Sequence, residues 1–192
     1  MPTVFSHAAA PLALGLGLGP EIVPRRLLAA GVVASVLPDL DVVAFHLGIP
    51  YSADLGHRGL SHSLFFAAVM ALVGAAGHRA LRAGFPRAYL FLFVAAASHG
   101  ALDAFTDGGL GVAFLWPWSG ERYFAPDAWR VVEVSPIGVS RFLSWRGLAV
   151  LGSELRWIWP PALALGLVLF GVRRARGRRE RTGRPSPHGG SP

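Results

Sequence analysis

Histidine and aspartate recur every four residues in the segment AAASHGALDAFTDGG, as His99, Asp103 and Asp107. On a helix the first two side chains project from one face, and the third lies just around it. Imidazole and carboxylate groups at this spacing are a common way to hold a divalent metal ion. The spacing equally suits a buried histidine bonded to an aspartate one turn along, so this pair alone leaves both interpretations open.

Two further acids follow a proline in the segment LPDLD, as Asp39 and Asp41. Pro38 disturbs the end of an apolar run and exposes backbone groups. One carboxylate there could cap a helix. Two carboxylates at the edge of hydrocarbon are costly unless they are paired or bind a cation, which makes both of them candidates for a metal site.

The segment LGHRGLSHSLFF places His57, Arg58 and His62 directly before an apolar run. We expect Ser61 to be the N-cap of the helix that follows, with His62 in its first turn as a metal ligand. Helix capping accounts for the serines but not for two histidines and an arginine. The planar, permanently charged guanidinium of Arg58 is suited to hold an anionic substrate group.

The composition indicates that a bundle of membrane helices must position these residues. Hydrophobic residues make up 53% of the 192-residue chain and charged residues 15%, and the mean hydropathy is +0.46. We predict an all-α polytopic membrane protein with about five transmembrane or membrane-embedded helices, because a span needs roughly 20 apolar residues. The predicted spans are 4–22, 27–46, 61–80, 88–106 and 147–172. The N-terminus lacks the basic region of a signal peptide, so we expect the first apolar stretch to remain in the mature protein.

The arginine distribution predicts an orientation. Basic residues cluster at Arg25–Arg26, at 79–87 and after Val172, and cytoplasmic segments of membrane proteins carry the excess of basic residues. Alternating spans then place the C-terminus in the cytoplasm, and His7 with the three motifs at the outer ends of their helices. We expect one membrane domain over 1–172, with an irregular outer cap at 107–145, and a disordered basic tail at 173–192.

The residue types also restrict the chemistry. The chain has no cysteine, so a metal must be held by histidine, aspartate and glutamate, a ligand set that suits Zn, Mn, Fe or Mg. Much of the net charge of +7 lies in the terminal segment. That placement favours lipid headgroups over a nucleic acid partner. The sequence contains no GxSxG, P-loop or HExxH motif, which disfavours serine hydrolase, nucleotide-dependent and zincin mechanisms.

The motifs together resemble those of the YdjM-like membrane proteins, which are described as metal-dependent hydrolases, some of them as LexA-binding. The resemblance rests on an N-terminal SH, LPDLD, HRGLSHS, SHGALDAFTDGG, PWSGERYF and VVEVSPIG, over roughly residues 1–150. It implies an inner-membrane protein with a hydrolytic metal site. The residues that match this site are His7, Asp39, Asp41, His57, His62, His99 and Asp103. Arg122, Tyr123 and Glu133 also match and would complete the site from the cap.

Three functions follow as hypotheses. The first is hydrolysis of an ester or phosphoester, of a lipid or envelope component, by water activated at a divalent metal. The predicted metal ligands are His7, Asp39, His62, His99 and Asp103. Asp41 or His57 would act as base or orienting group and Arg58 as anion clamp, with Asp107, Arg122, Tyr123 and Glu133 as accessory residues. The alternatives are an ion or proton relay in a transporter, and a metal-stabilised scaffold that binds a regulator. The bilayer is the one predicted partner, and the substrate and oligomeric state stay open.

Overall fold

The computed structural model describes residues 1–182, and the regular secondary structure of these residues is helical, with no strand among them. The helices are α1 Val4–His7, α2 Ala9–Leu18, α3 Arg25–Val36, α4 Val43–His46, α5 Leu64–Ala76, α6 Phe85–Ala104, α7 Val139–Phe142, α8 Trp145–Trp157 and α9 Trp159–Thr182. Turns of 3-10 helix lie at Leu37–Val42, Leu60–His62 and Asp127–Trp129. The predicted all-α class is confirmed.

Two helical runs of the described chain are long and apolar enough to cross a membrane, Arg25–His46 and Trp145–Arg178. Val4–Leu18 and Leu64–Ala76 are shorter apolar helices, so the number of five spans stays a prediction. In the most apolar stretch of Trp145–Arg178, only 6% is buried inside the protein. Large side chains of α9 therefore face outward along its length, as is expected of a helix in contact with lipid.

The core is built mainly from α3, α5 and α6, which pack through small side chains. Ala67, Ala71 and Ala75 on α5 meet alanines and leucines of the neighbouring helices. Small residues let helix backbones approach closely, which is the usual basis of packing in membrane helices. This apolar cluster fills the half of the bundle that lies toward the basic turns.

The candidate residues and the basic turns occupy opposite ends of the bundle. Arg26 at the start of α3 donates to the carbonyl of Ala80 at 3.2 Å, and Arg87 donates to that of Glu21 at 3.1 Å. Since α3 and α6 begin at this end and α5 finishes there, the C-terminal ends of α3 and α6 and the start of α5 lie at the other end. The side of the membrane on which each end lies stays a prediction.

The predicted cap lies between α6 and α8. Residues 107–145 are largely irregular, and two isolated bridges, Thr106 with Val132 and Val112 with Tyr123, hold them in place.

The tail is predicted to be disordered from residue 173, but α9 continues to Thr182. Arginine and alanine are good helix formers, and the apolar helix before them removes the cost of nucleation. The rest of the predicted tail, 183–192, lies outside the described residues.

Candidate metal centre

Five side chains from separate parts of the chain converge in the buried end of the bundle. Asp39, His62, His99 and Asp103 each place one ligand atom so that all four lie within 4.8 Å of one another. His7 joins them, with its Nε2 atom 3.6 Å from an oxygen of Asp39 and 3.6 Å from an oxygen of Asp103. Its ring stacks on that of His99, with the centroids 3.6 Å apart. The structure thus brings together all five residues predicted as metal ligands.

The closest approach in the cluster is between two imidazole nitrogens. The Nε2 atoms of His62 and His99 lie 3.0 Å apart. The Nε2 atom of His99 lies 3.3 Å from Oδ1 of Asp39, and that of His62 lies 3.2 Å from Oδ2 of Asp103. The two nitrogens and two carboxylates therefore face one small volume.

Hydrogen bonds on the far side of each ring determine which nitrogen faces this volume as a lone pair. Nδ1 of His99 lies 2.7 Å from the carbonyl oxygen of Ser35, which can only accept, so Nδ1 carries the proton. Nδ1 of His62 lies 3.0 Å from Oγ of Ser61, which donates its own proton to Asp41, and 3.1 Å from Oδ2 of Asp41. We therefore assign the proton to Nδ1 here as well. Both Nε2 atoms then present lone pairs to each other at a distance where they repel unless a cation or a proton lies between them. This arrangement is typical of metal-binding histidines.

The carboxylates point to the same conclusion. Both oxygens of Asp39, both oxygens of Asp103 and both ring nitrogens of His7 are buried and have no hydrogen-bond partner. An ionised carboxylate in a dry interior is costly unless it is paired or coordinates a metal. Arg58 pairs with Asp103, and the N-terminal ammonium of Met1 also acts on this carboxylate electrostatically. The ion pairs of Asp39 are all with histidines. The residues present therefore fit a divalent cation.

The open question about His99 and Asp103 is resolved by their partners. His99 donates to the carbonyl oxygen of Ser35 and Asp103 pairs with Arg58, so the two side chains are not hydrogen-bonded to each other.

Gly100 lies between His99 and Asp103, and a Cβ atom there would come within 2.8 Å of the carbonyl oxygen of His62. The missing side chain at Gly100 thus allows the 3-10 turn that carries His62 to approach α6.

Arg58 takes a different place from the one predicted. Its guanidinium is fully buried, with Nε 3.0 Å from Oδ2 of Asp103, and with Nη1 and Nη2 each donating at 3.0 Å, to the carbonyl of Gly108 and to Thr106 Oγ1. The side chain has no surface on which to clamp a substrate anion. It holds Asp103 and the loop after α6 in position. Its backbone is left-handed, with φ of 62°, a conformation that is uncommon for a residue other than glycine.

Asp41 lies beside the cluster and links it to a second histidine. Its carboxylate lies 2.5 Å from Nδ1 of His57 and 3.1 Å from Nδ1 of His62, and it also accepts from the backbone N–H of Arg58. Nε2 of His57 has no hydrogen-bond partner among the described residues. Asp41 therefore orients two imidazoles at once, one facing the cluster and one with a free nitrogen.

The helix cap was assigned to the wrong serine. Ser63, not Ser61, is the N-cap of α5 and accepts from the backbone N–H of Phe66 at 3.0 Å. Ser61 instead donates to Asp41. His62 consequently lies in the 3-10 turn before α5, where its ring can reach the cluster.

The four predicted accessory residues lie in or against the cap and outside the cluster. Asp107 is exposed and accepts from the backbone of Val134, the hydroxyl of Tyr123 donates to Glu121, and Glu133 is exposed. Arg122 donates at 3.0 Å to three carbonyls of the loop that carries the histidines, those of Tyr51, Ala53 and His57. Burial lowers the pKa of Arg122 and raises that of Tyr51. Arg122 thus supports the loop, Asp107 and Tyr123 make their side-chain hydrogen bonds within the cap, and the side chain of Glu133 is exposed.

Glu154 on α8 is a buried acid that the sequence analysis missed. It is 1% exposed, and its carboxylate accepts from the backbone N–H of Thr3 and, at 2.7 Å each, from the hydroxyls of Thr3 and Ser6. These bonds fix α1 against α8, and His7 follows Ser6 directly. A lone acid inside a predicted span was the signal that could have identified it.

Comparison with known proteins identifies the family of this chain. The family model of the YdjM inner membrane protein matches residues 1–177. The chain belongs to the YdjM inner membrane protein family. Its similarity to "Inner membrane protein YbcI" of Escherichia coli (strain K12) is 49% identity over 175 residues, which is 91% of this chain and 100% of that protein. No solved structure matches. The YdjM match confirms the resemblance seen in the motifs and spans every residue of the cluster.

Replacing Glu154 with alanine tests whether this acid anchors α1. The change leaves the donors of Thr3 and Ser6 buried without a partner, which costs about 1–3 kcal/mol. We expect Glu154→Ala to lower the unfolding temperature of the detergent-purified protein, measured by differential scanning fluorimetry. Glu133→Ala, which removes an exposed glutamate, is the matched control and should change nothing. Equal unfolding temperatures for the two variants would contradict the anchor.

Proposed function

We propose that this protein is a membrane-bound hydrolase of an ester or phosphoester, and that it uses a divalent metal held by His7, Asp39, His62, His99 and Asp103. The observation that carries the proposal is the convergence of two imidazole nitrogens and two carboxylates that lack a hydrogen-bond partner among the described residues, beside the Asp41–His57 pair. A metal ion bound there would supply Lewis acidity and lower the pKa of a coordinated water to about 7.

Other groups of the protein hold the proposed ligands in position. Arg58 fixes Asp103, the carbonyl of Ser35 fixes the ring of His99, and Asp41 fixes that of His62. Outer partners of this kind set the tautomer and orientation of ligating histidines. The donor set is thereby held in one geometry before any ion or substrate arrives.

His57 is the group placed to accept a proton. Asp41 holds its Nδ1 as the protonated nitrogen, which leaves Nε2 as the basic atom. The rings of His57 and His62 lie edge to face, with centroids 5.4 Å apart. Asp39 and Asp41, each with 9% of its side chain exposed, are more accessible than Asp103, which has none exposed, and share one 3-10 turn. Water and substrate would reach the site along this edge.

A second candidate function is a metal-stabilised scaffold. It is favoured by the burial of His7, His99 and Asp103, which have no exposed surface. Structural metal sites are closed, whereas catalytic ones keep a position open to solvent or substrate. The two functions share one ion site and differ in whether His57 matters for a reaction.

A transport function has less support. A relay of ions or protons needs polar groups at several depths. Among the described residues the fully buried polar side chains gather at the end of the bundle that holds the cluster, and alanine, leucine and phenylalanine fill the other half.

The metal content of the purified protein tests the ion site. We expect stoichiometric Zn, Mn, Fe or Mg by mass spectrometry in the native protein and its loss in the double variant His99→Ala/Asp103→Ala. The matched control His46→Ala/Asp127→Ala removes an exposed histidine and an exposed aspartate and should keep the metal. Circular dichroism establishes that each variant is folded. Metal retained in a folded His99→Ala/Asp103→Ala protein would overturn the site.

Replacing His57 separates the hydrolase from the scaffold. We expect His57→Gln to keep the metal but to lower turnover of bis(p-nitrophenyl) phosphate or p-nitrophenyl acetate by about 10²–10⁴, because the proton acceptor is lost. Asp41→Asn should also weaken metal binding by about 10–100-fold, since it orients His62. A native protein that binds metal without turnover, and loses stability with the metal, would establish the scaffold instead.

A further inference from the structure

A large cavity lies at the end of the bundle away from the metal centre. It has a volume of about 880 Å³ and opens between the C-terminal end of α2 and the basic part of α9. The ten residues of α2 separate it from His7, a distance of about 15 Å at the rise of an α-helix. The cavity is therefore a separate site that the proposed hydrolysis does not use.

The polar lining of this cavity is strongly basic. Among the described residues, four arginines and one acid, Glu21, line it. The arginines are Arg173, Arg174, Arg176 and Arg178. Nη1 of Arg173 is buried and has no hydrogen-bond partner in the part of the chain that the structure describes. It lies over Gly19, where a Cβ atom would come within 1.5 Å of it. Burying a guanidinium nitrogen without an acceptor costs folding free energy. A bound anion would supply the missing acceptor.

An apolar groove lies next to this cavity. It has a volume of about 320 Å³ and runs between α2 and α9, and Phe170 lines both the groove and the cavity. The other lining residues of the groove are alanine, leucine, glycine and tryptophan, among them Leu16, Leu163 and Leu167. A basic pocket beside an apolar groove matches a ligand with an anionic head and a hydrocarbon tail.

We propose that this end of the protein binds one anionic phospholipid, with the phosphate at Arg173 and Arg174 and an acyl chain in the groove between α2 and α9. The position suits such a lipid because the arginines directly follow an apolar helix whose large side chains face outward. Basic residues at this position meet the headgroup layer of a bilayer. A free phosphate would satisfy the arginines but leave the groove empty.

Native mass spectrometry of the full-length protein released from detergent tests the proposal. We expect phosphatidylglycerol to remain bound in preference to phosphatidylcholine, and Arg173→Gln to lower the bound fraction about fivefold, the effect of one arginine at an anionic headgroup. Arg174→Gln is the second variant, in case Arg173→Gln fails to fold. Arg79→Gln, which removes an exposed arginine between α5 and α6, is the matched control and should bind lipid like the native protein.

Competition identifies the source of the anion. Inorganic phosphate at the same concentration should not displace phosphatidylglycerol, because it lacks the chain that fills the groove. Displacement by phosphate would show a simple anion site and overturn the proposal. So would equal retention of the neutral lipid, or equal losses in the Arg79→Gln and Arg173→Gln proteins. Metal content is unaffected in these variants, so failure here leaves the metal centre untouched.

Discussion

The cost of burying charge is the constraint on which the rest of this structure depends. Asp39 and Asp103 lie in the interior of an apolar bundle, and no carboxylate oxygen of either has a hydrogen bond among the described residues. Arg58 pairs with Asp103, and the N-terminal ammonium of Met1 also acts on it electrostatically. An arrangement like this destabilises the fold unless a further positive charge is present. The three histidines around the carboxylates supply the nitrogen donors that the proposed divalent ion would need.

The surrounding packing serves this site. Alanines bring α3, α5 and α6 close together, and Gly100 lets the turn with His62 reach α6. Glu154 fixes the short N-terminal helix, which carries His7 into the cluster. Arg122 supports the loop that holds His57 and Arg58 through its backbone carbonyls. Metal binding should consequently stabilise several helices at once, because each contributes a ligand or the support of one.

The sequence predicted the cluster well because each ligand belongs to a short motif at a helix end. Once the spans alternate across a membrane, the motifs at corresponding ends must meet, and even His7 could be placed in this way. The helical class could be predicted from composition, because a chain this apolar indicates membrane helices. The number of spans did not, because α5 has only thirteen residues and the apolar segments differ in length.

The roles of single residues were harder to predict, since they depend on contacts between distant segments. Arg58 was expected to meet a substrate, but the fold places Thr106 and Gly108 against its guanidinium. Ser61 and Ser63 are both suitable caps by type, and only the approach of Asp41 distinguishes them. Asp107 has the right helical spacing for a ligand, yet α6 ends at Ala104, so its side chain leaves the common face.

X-ray absorption spectroscopy at the edge of the bound metal tests the central claim most directly. A cluster of three histidines and two aspartates predicts nitrogen and oxygen ligands at about 2.0–2.2 Å, as for zinc, with the multiple scattering of two or three imidazole rings. A bound ion surrounded by oxygen alone, without imidazole scattering, would contradict the metal centre described for this protein.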